Sequence, residues 1–171
     1  MGTSQNRSYE KIEKADLTRL IGLAKKCLDE MLARTTTGRF YSSNDALMAC
    51  LCQGAARHFV HGDRGVNDWD VVFFFRTNPD WKFPPRWKGN CDFGPSRFGT
   101  NPDHGPRYSG RRIDVLGRDI PVSGGISAEQ AIVTYLQKSG TVSAREWAKR
   151  PLIALTPQEM LGQLIWDHPE N

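Results

Sequence analysis

The chain has 171 residues, of which 39% are hydrophobic and 25% charged, a composition that fits one soluble domain with a core large enough to stand without staples. No apolar run approaches the ~18–20 residues that cross a bilayer and the opening stretch lacks the apolar centre of a secretion signal, so no membrane partner and a cytoplasmic location are expected. A net charge of +4 permits an anionic partner such as a nucleotide or RNA without demanding one, and the four cysteines form no CxxC that would suggest zinc.

In chain order, residues 9–34 carry apolar positions at Leu17, Leu20, Ile21, Ala24, Leu28 and Leu32, the spacing of a helix running from about Asp16 with a shorter turn before it. The segment TTTGRFYSSND breaks it. Leu47–Gln53 then reads as a strand, with a turn at Gly54 and a short helix carrying Arg57 and His58; a continuous helix from Ser43 is the rival. Cys50 and Cys52 lie in this apolar stretch as small hydrophobes. Residues 68–76, DWDVVFFFR, are β-branched and aromatic and predict a strand.

Residues 77–110 hold six of the ten prolines and interleave aromatic with basic residues. They predict a long loop with little regular structure, packed over something because disordered linkers are poor in aromatics. Residues 111–116 read as a strand with a turn near Gly117–Arg118. Three helices are then expected: one at 127–139 between Ser127 and Gly140, one capped by Ser143, and one at 156–166 with Thr156 as N-cap and Pro157 behind it. The expected architecture is a single α+β domain. Strands 46–53, 68–76 and 111–116 form one mixed sheet, with helices 127–139 and 156–166 and the N-terminal helix packed on one face.

The chemistry centres on GVNDWDVVFFF. Side chains at i and i+2 of a strand share a face, so Asp68 and Asp70 project together while Trp69 points away. Two unpaired carboxylates side by side repel, a penalty that a divalent cation removes, and hard oxygen ligands suit Mg²⁺. Asp114, flanked by Ile113 and Val115, offers a third carboxylate in the same style. If their strands are neighbours, the set suits two metals serving an in-line phosphoryl or nucleotidyl displacement. Upstream, Gly54 ends an apolar strand and opens a helix, where bare backbone and helix N-terminus favour a phosphate.

In these three elements, LCQGAARHF, NDWDVVFFF and RRIDVL, the chain resembles the DNA polymerase β-like nucleotidyltransferase superfamily, and looks closest to its small stand-alone bacterial members related to abortive-infection and toxin–antitoxin systems. The family signature is a strand ending in Gly-Gly or Gly-Ser, a helical turn, Asp-x-Asp on the next strand and a third acid on a later one. The fourteen residues from Gly54 to Asp68 match the usual interval. Ala55 departs from the pattern, standing where family members carry glycine or serine. The resemblance implies a nucleotidyltransferase-type sheet and Mg²⁺ (or Mn²⁺) held by Asp68, Asp70 and Asp114 as the catalytic acids. It also implies an NTP donor near Gly54, Ala55, Arg57 and Arg112, and a hydroxyl acceptor on RNA, protein or a small molecule.

Other residues carry weaker expectations. Arg97 or Arg107 of the loop is expected to face the phosphate site, and Trp81 and Trp87 could stack a base but more readily form the packed underside of the loop. His58 and His61 lack a matching pair of metal donors, and His58 reads as a core or site-lining residue. Arg111 and Arg112 divide evenly between phosphate binding and a strand-edge charge. Lys149 and Arg150 suit a helix C-terminus. Two functions follow: a metal-dependent nucleotidyltransferase, or a catalytically inactive module of that fold that binds nucleic acid or a partner protein.

Overall fold

In the computed structural model, which describes residues 6–84 and 88–168, the apolar stripe of the first segment becomes the buried side of α1 (Lys14–Leu32). Leu17, Leu20, Leu28 and Leu32 are essentially inaccessible. At about 2 kcal/mol each they outweigh the roughly 1 kcal/mol of the capping box formed by Glu13 and Asp16, so burial positions this helix and the cap trims its end.

The sheet has six strands in the order β3-β4-β2-β1-β5-β6. They are β1 (Met48–Cys52), β2 (Trp69–Arg76), β3 (Lys88–Asp92), β4 (Arg112–Ile120), β5 (Leu152–Ala154) and β6 (Leu164–Trp166). Only β2 and β4 pair in parallel; the other neighbours are antiparallel, making the sheet mixed and the protein α+β. Between β1 and β2 lies α2 (Gln53–His61), and α3 (Ala128–Lys138) and α4 (Val142–Ala148) follow β4. The strand at 48–52 thus prevails over the rival helix from Ser43.

Helices cover both faces, which corrects the expectation of a single helical layer. Ala49, Leu51, Val71, Phe73, Phe75, Ile113 and Val115 pack with α1 and α2. Cys50, Cys52, Val72 and Phe74 pack with Ile132, Leu136 and Trp147 of α3 and α4. A strand with apolar residues on both sides has two faces to cover, and the unbroken run from Val71 to Phe75 already carried that requirement. Among the described residues no helix is long and apolar enough to cross a membrane.

Five further expectations are corrected. The predicted helix 156–166 is instead a short 3-10 turn at Gln158–Met160 followed by β6, because β5 pairs with β1 and Gly162, at φ +83°, turns the chain back beside it. β4 runs straight through Gly117 without a turn. That residue is glycine because the Phe83 ring lies where a Cβ would sit, 2.0 Å from Cζ. α3 ends on Ser139 in the left-handed region rather than on Gly140, and α4 is capped by Thr141 rather than Ser143. The loop 77–110 contains β3, an edge strand whose sequence KGNCD has little strand propensity and is held by pairing with β4. Its aromatics do pack: Phe83, Phe93 and Phe98 enter the core, the last two around Trp69.

Candidate active site

Strand alternation sends Trp69, Val71 and Phe73 into the α1 side and turns Asp68 and Asp70 to the other face. The parallel register pairs Asp70 with Asp114, so the third acid arrives on the same face. The three aspartates expected from sequence are therefore brought together. Across the sheet the site runs from Lys88 and Asn90 on β3, through Asp114 and Asp70, to Cys52, the partner of Asp70 on β1.

Arg112 Nη2 donates to Asp68 Oδ2 at 3.1 Å and to Asp114 Oδ2 at 2.9 Å, and Lys88 Nζ lies 3.2 Å from Asp114 Oδ2. Asp114 is almost fully buried, and its Oδ1 has no hydrogen-bond partner among the described residues. Asp70 receives no side-chain bond there either. Burial first, then the neighbouring charges of Asp68 and Asp114, push its carboxyl up to about 7.

Two residues of the site carry no sequence signal. Lys88 lies on the unforeseen strand β3. His104 sits in a short 3-10 turn, Pro102–His104, with Nε2 4.0 Å from Asp68 Oδ2. Asn101 Oδ1 accepts from the Asp103 N–H, which orients its amide so that Nδ2 donates to Asn67 at 2.9 Å and approaches His104 Nε2 at 3.3 Å. His104 Nδ1 is buried without a hydrogen-bond partner among the described residues. Burial, followed by the Arg112 cation, holds this histidine below its ordinary value, so it stands neutral at pH 7.

At the Gly54 end of the site, β1 passes directly into α2 through Gln53, a non-glycine residue at φ +60°. Its Oε1 accepts from Arg150 at 2.8 Å, so Arg150 serves this junction rather than only a helix dipole. Gly54 lies in the first turn of α2, and a Cβ there would meet Arg7 Nη1 at 3.7 Å and Arg64 Cγ at 4.0 Å. The bare backbone thus faces two arginines that spacing alone did not reveal. The Ala55 side chain is buried in the α1-side core, which leaves its backbone for a ligand.

Other expected contacts fall elsewhere. Arg57 is bound by Asp63 through Nε and Nη2, at 2.7 Å for the shortest bond. Arg97 is bound to Asp16 and to the Lys11 carbonyl on the α1 side. Arg107 does reach the acid-bearing face, donating to Asn90 Oδ1 at 3.0 Å with its guanidinium over the Tyr108 ring. Arg111 is buried and donates to the carbonyls of Asn6, Asn67 and Phe98, a tie between segments, so only Arg112 of that pair belongs to the site. Trp81 is stacked on Phe40 at 3.7 Å, and Trp87 lies outside the described residues. His58 accepts from the Gly65 N–H and contacts the Glu10 carbonyl, while His61 faces Asp167.

As the side chains stand, no three His, Cys, Asp or Glu groups among the described residues are gathered around one point for a metal ion. Arg112 occupies the space between Asp68 and Asp114. The donor chemistry still suits a hard divalent cation: three carboxylates, one with a buried orphan oxygen and one destabilised as an anion by its neighbours. Compared with known proteins, the chain matches no protein family, no curated protein and no solved structure.

Proposed function

We propose that the protein is a nucleotidyltransferase of the DNA polymerase β-like type that moves a nucleoside monophosphate from an NTP to an acceptor hydroxyl. The observation that carries this reading is the register of Asp70 against Asp114, with Asp68 two residues before Asp70 on the same face. Asp68, Asp70 and Asp114 would hold Mg²⁺ or Mn²⁺, which when bound neutralises the donor triphosphate and acidifies the acceptor hydroxyl. The Gly54 and Ala55 amides, with Arg7 and Arg64 beside them, receive the triphosphate. Asp114 orients the attacking hydroxyl and takes its proton. Arg112 acts as a counter-ion that keeps the acids folded together before the donor arrives.

The occupied space between Asp68 and Asp114 favours a second reading, a module that retains the fold and binds without turnover. One pair of measurements separates the two. The enzyme predicts thermal stabilisation by an NTP only when Mg²⁺ or Mn²⁺ is present, and transfer of label to an acceptor in a cell extract. Asp70→Asn loses both, whereas Asp114→Asn retains most NTP binding and loses transfer by orders of magnitude. Metal-independent binding with no labelled product establishes the module.

A further inference from the structure

Beyond Asp114 the sheet changes character. Among the described residues β3 pairs with β4 as far as Leu116, and β4 continues through Gly117–Asp119. A cleft of about 450 Å³ opens there, bounded by Lys82, Lys88, Arg118, Asp119, Ser143 and Trp147, a size suited to one nucleotide unit.

Lys88 faces Asp114, but two further cations of the cleft have no carboxylate partner among the described residues. Arg118 donates to the Ser143 hydroxyl at 2.7 Å and lies near the Trp147 ring, yet has no carboxylate partner among the described residues. Its Nε is buried without an acceptor. Lys82 is exposed and likewise lacks a carboxylate partner there. Lys88 joins the cleft to the acids, its ammonium 3.2 Å from Asp114. Asp119 also lines the cleft, one carboxylate against the three cations Lys82, Lys88 and Arg118. A guanidinium with spare in-plane donors, flanked by two ammonium groups, matches a phosphate group.

We infer that this cleft binds a phosphate of the acceptor, on the side of Asp114 away from Gly54. The word acceptor rests on the nucleotidyltransferase reading; phosphate recognition by Lys82 and Arg118 does not. Donor and acceptor phosphates then lie at opposite ends of the acid cluster, with Lys88 screening the acceptor's charge from Asp114. The phosphate belongs either to the terminal nucleotide of a single strand or to a free nucleoside monophosphate.

The test uses the full chain without metal and a fluorescein-labelled short single-stranded RNA, followed by anisotropy, with AMP and adenosine as competitors. Wild type is expected to bind at low salt and to be competed by AMP but not by adenosine. Lys82→Gln and Arg118→Gln should each weaken binding about five- to tenfold and each lower the salt dependence by roughly one phosphate contact. Arg118→Lys should restore part of the loss. RNA binding that AMP competes only at high concentration identifies a strand end as the source, and tight AMP binding with weak RNA binding identifies the free nucleotide. Wild-type affinity in Lys82→Gln and Arg118→Gln, equal competition by adenosine, or no binding of RNA or AMP by wild type each overturns the inference. Phosphate binding that follows this pattern, in a protein that no NTP stabilises with Mg²⁺, retains the cleft and removes the nucleotidyltransferase.

Discussion

Asp70 and Asp114 are direct partners across the one parallel strand pair, and Arg112 donates to Asp114 and Asp68 while giving Asp70 no hydrogen bond. Asp70 thus carries the unrelieved charge of the cluster. With its carboxyl raised to about 7 in the folded protein and near 3.9 when unfolded, the folded state holds its proton more tightly. The resulting stability is fully present below the unfolded value and is lost as pH rises to about 7. Asp70→Asn should flatten this slope and, at pH 8, stabilise the metal-free protein by about 2 kcal/mol after allowance for partial exposure, or roughly 4–8 °C in melting temperature. Melting curves from pH 4 to 8 check it; an unchanged slope in the variant rejects it.

Arg112→Gln should do the opposite. It strips Asp68 and Asp114 of their shared donor and leaves a buried carboxylate facing another. A loss of about 2–4 kcal/mol is expected in urea unfolding, largest above pH 7 where Asp70 is ionised. Combining it with Asp114→Asn should recover part of the loss, which a double-mutant cycle measures.

Gly54→Ala separates stability from binding. The added methyl lies in a helical turn with its nearest neighbour, Arg7 Nη1, at 3.7 Å, so the fold accepts it. Stability should rise by about 0.5–1 kcal/mol. Under the proposed reading, metal-dependent NTP stabilisation should fall, because the methyl would stand where the donor phosphate meets the backbone.

Two loop and helix arginines should prove structural. Arg57→Ala leaves both melting temperature and NTP stabilisation at wild-type values, since its partner Asp63 lies on the surface. Arg97→Ala removes the bonds to the buried Asp16 in the first turn of α1 and costs about 1–2 kcal/mol, again without touching nucleotide binding. A titration with the stabilising NTP checks both.

The acids were legible because two signals coincide at each of them. A carboxylate at the mouth of a two-sided apolar strand is chemically out of place, and period-2 alternation tells which acids share a face. Asp114, between Ile113 and Val115, obeys the same rule. Lys88 and His104 were not legible. Their positions depend on β3, a strand created by its partner rather than by its own residues, and on the Asn67–Asn101 contact between distant segments. The segment 156–166 misled for a related reason: Thr-Pro with Glu nearby is sound helix-start chemistry, but β5 satisfies β1 only if the chain folds straight back as β6. The Arg57–Asp63 pair was not legible either, because a charge in a short helix says nothing about a partner six residues on.

The parallel pairing of β2 with β4 has a kinetic consequence. β1 and β2 can zip together as near neighbours, but β4 reaches the free edge of β2 only after residues 77–111 have crossed back along the sheet. Until then the run VVFFF offers an apolar, unpaired edge to any other chain in solution. Closing that long connection also forces Asp114 against Asp70, so repulsion slows the very step that hides the edge. Refolding yield should therefore fall with protein concentration most steeply above pH 7, and the aggregates formed should be seeded by β2.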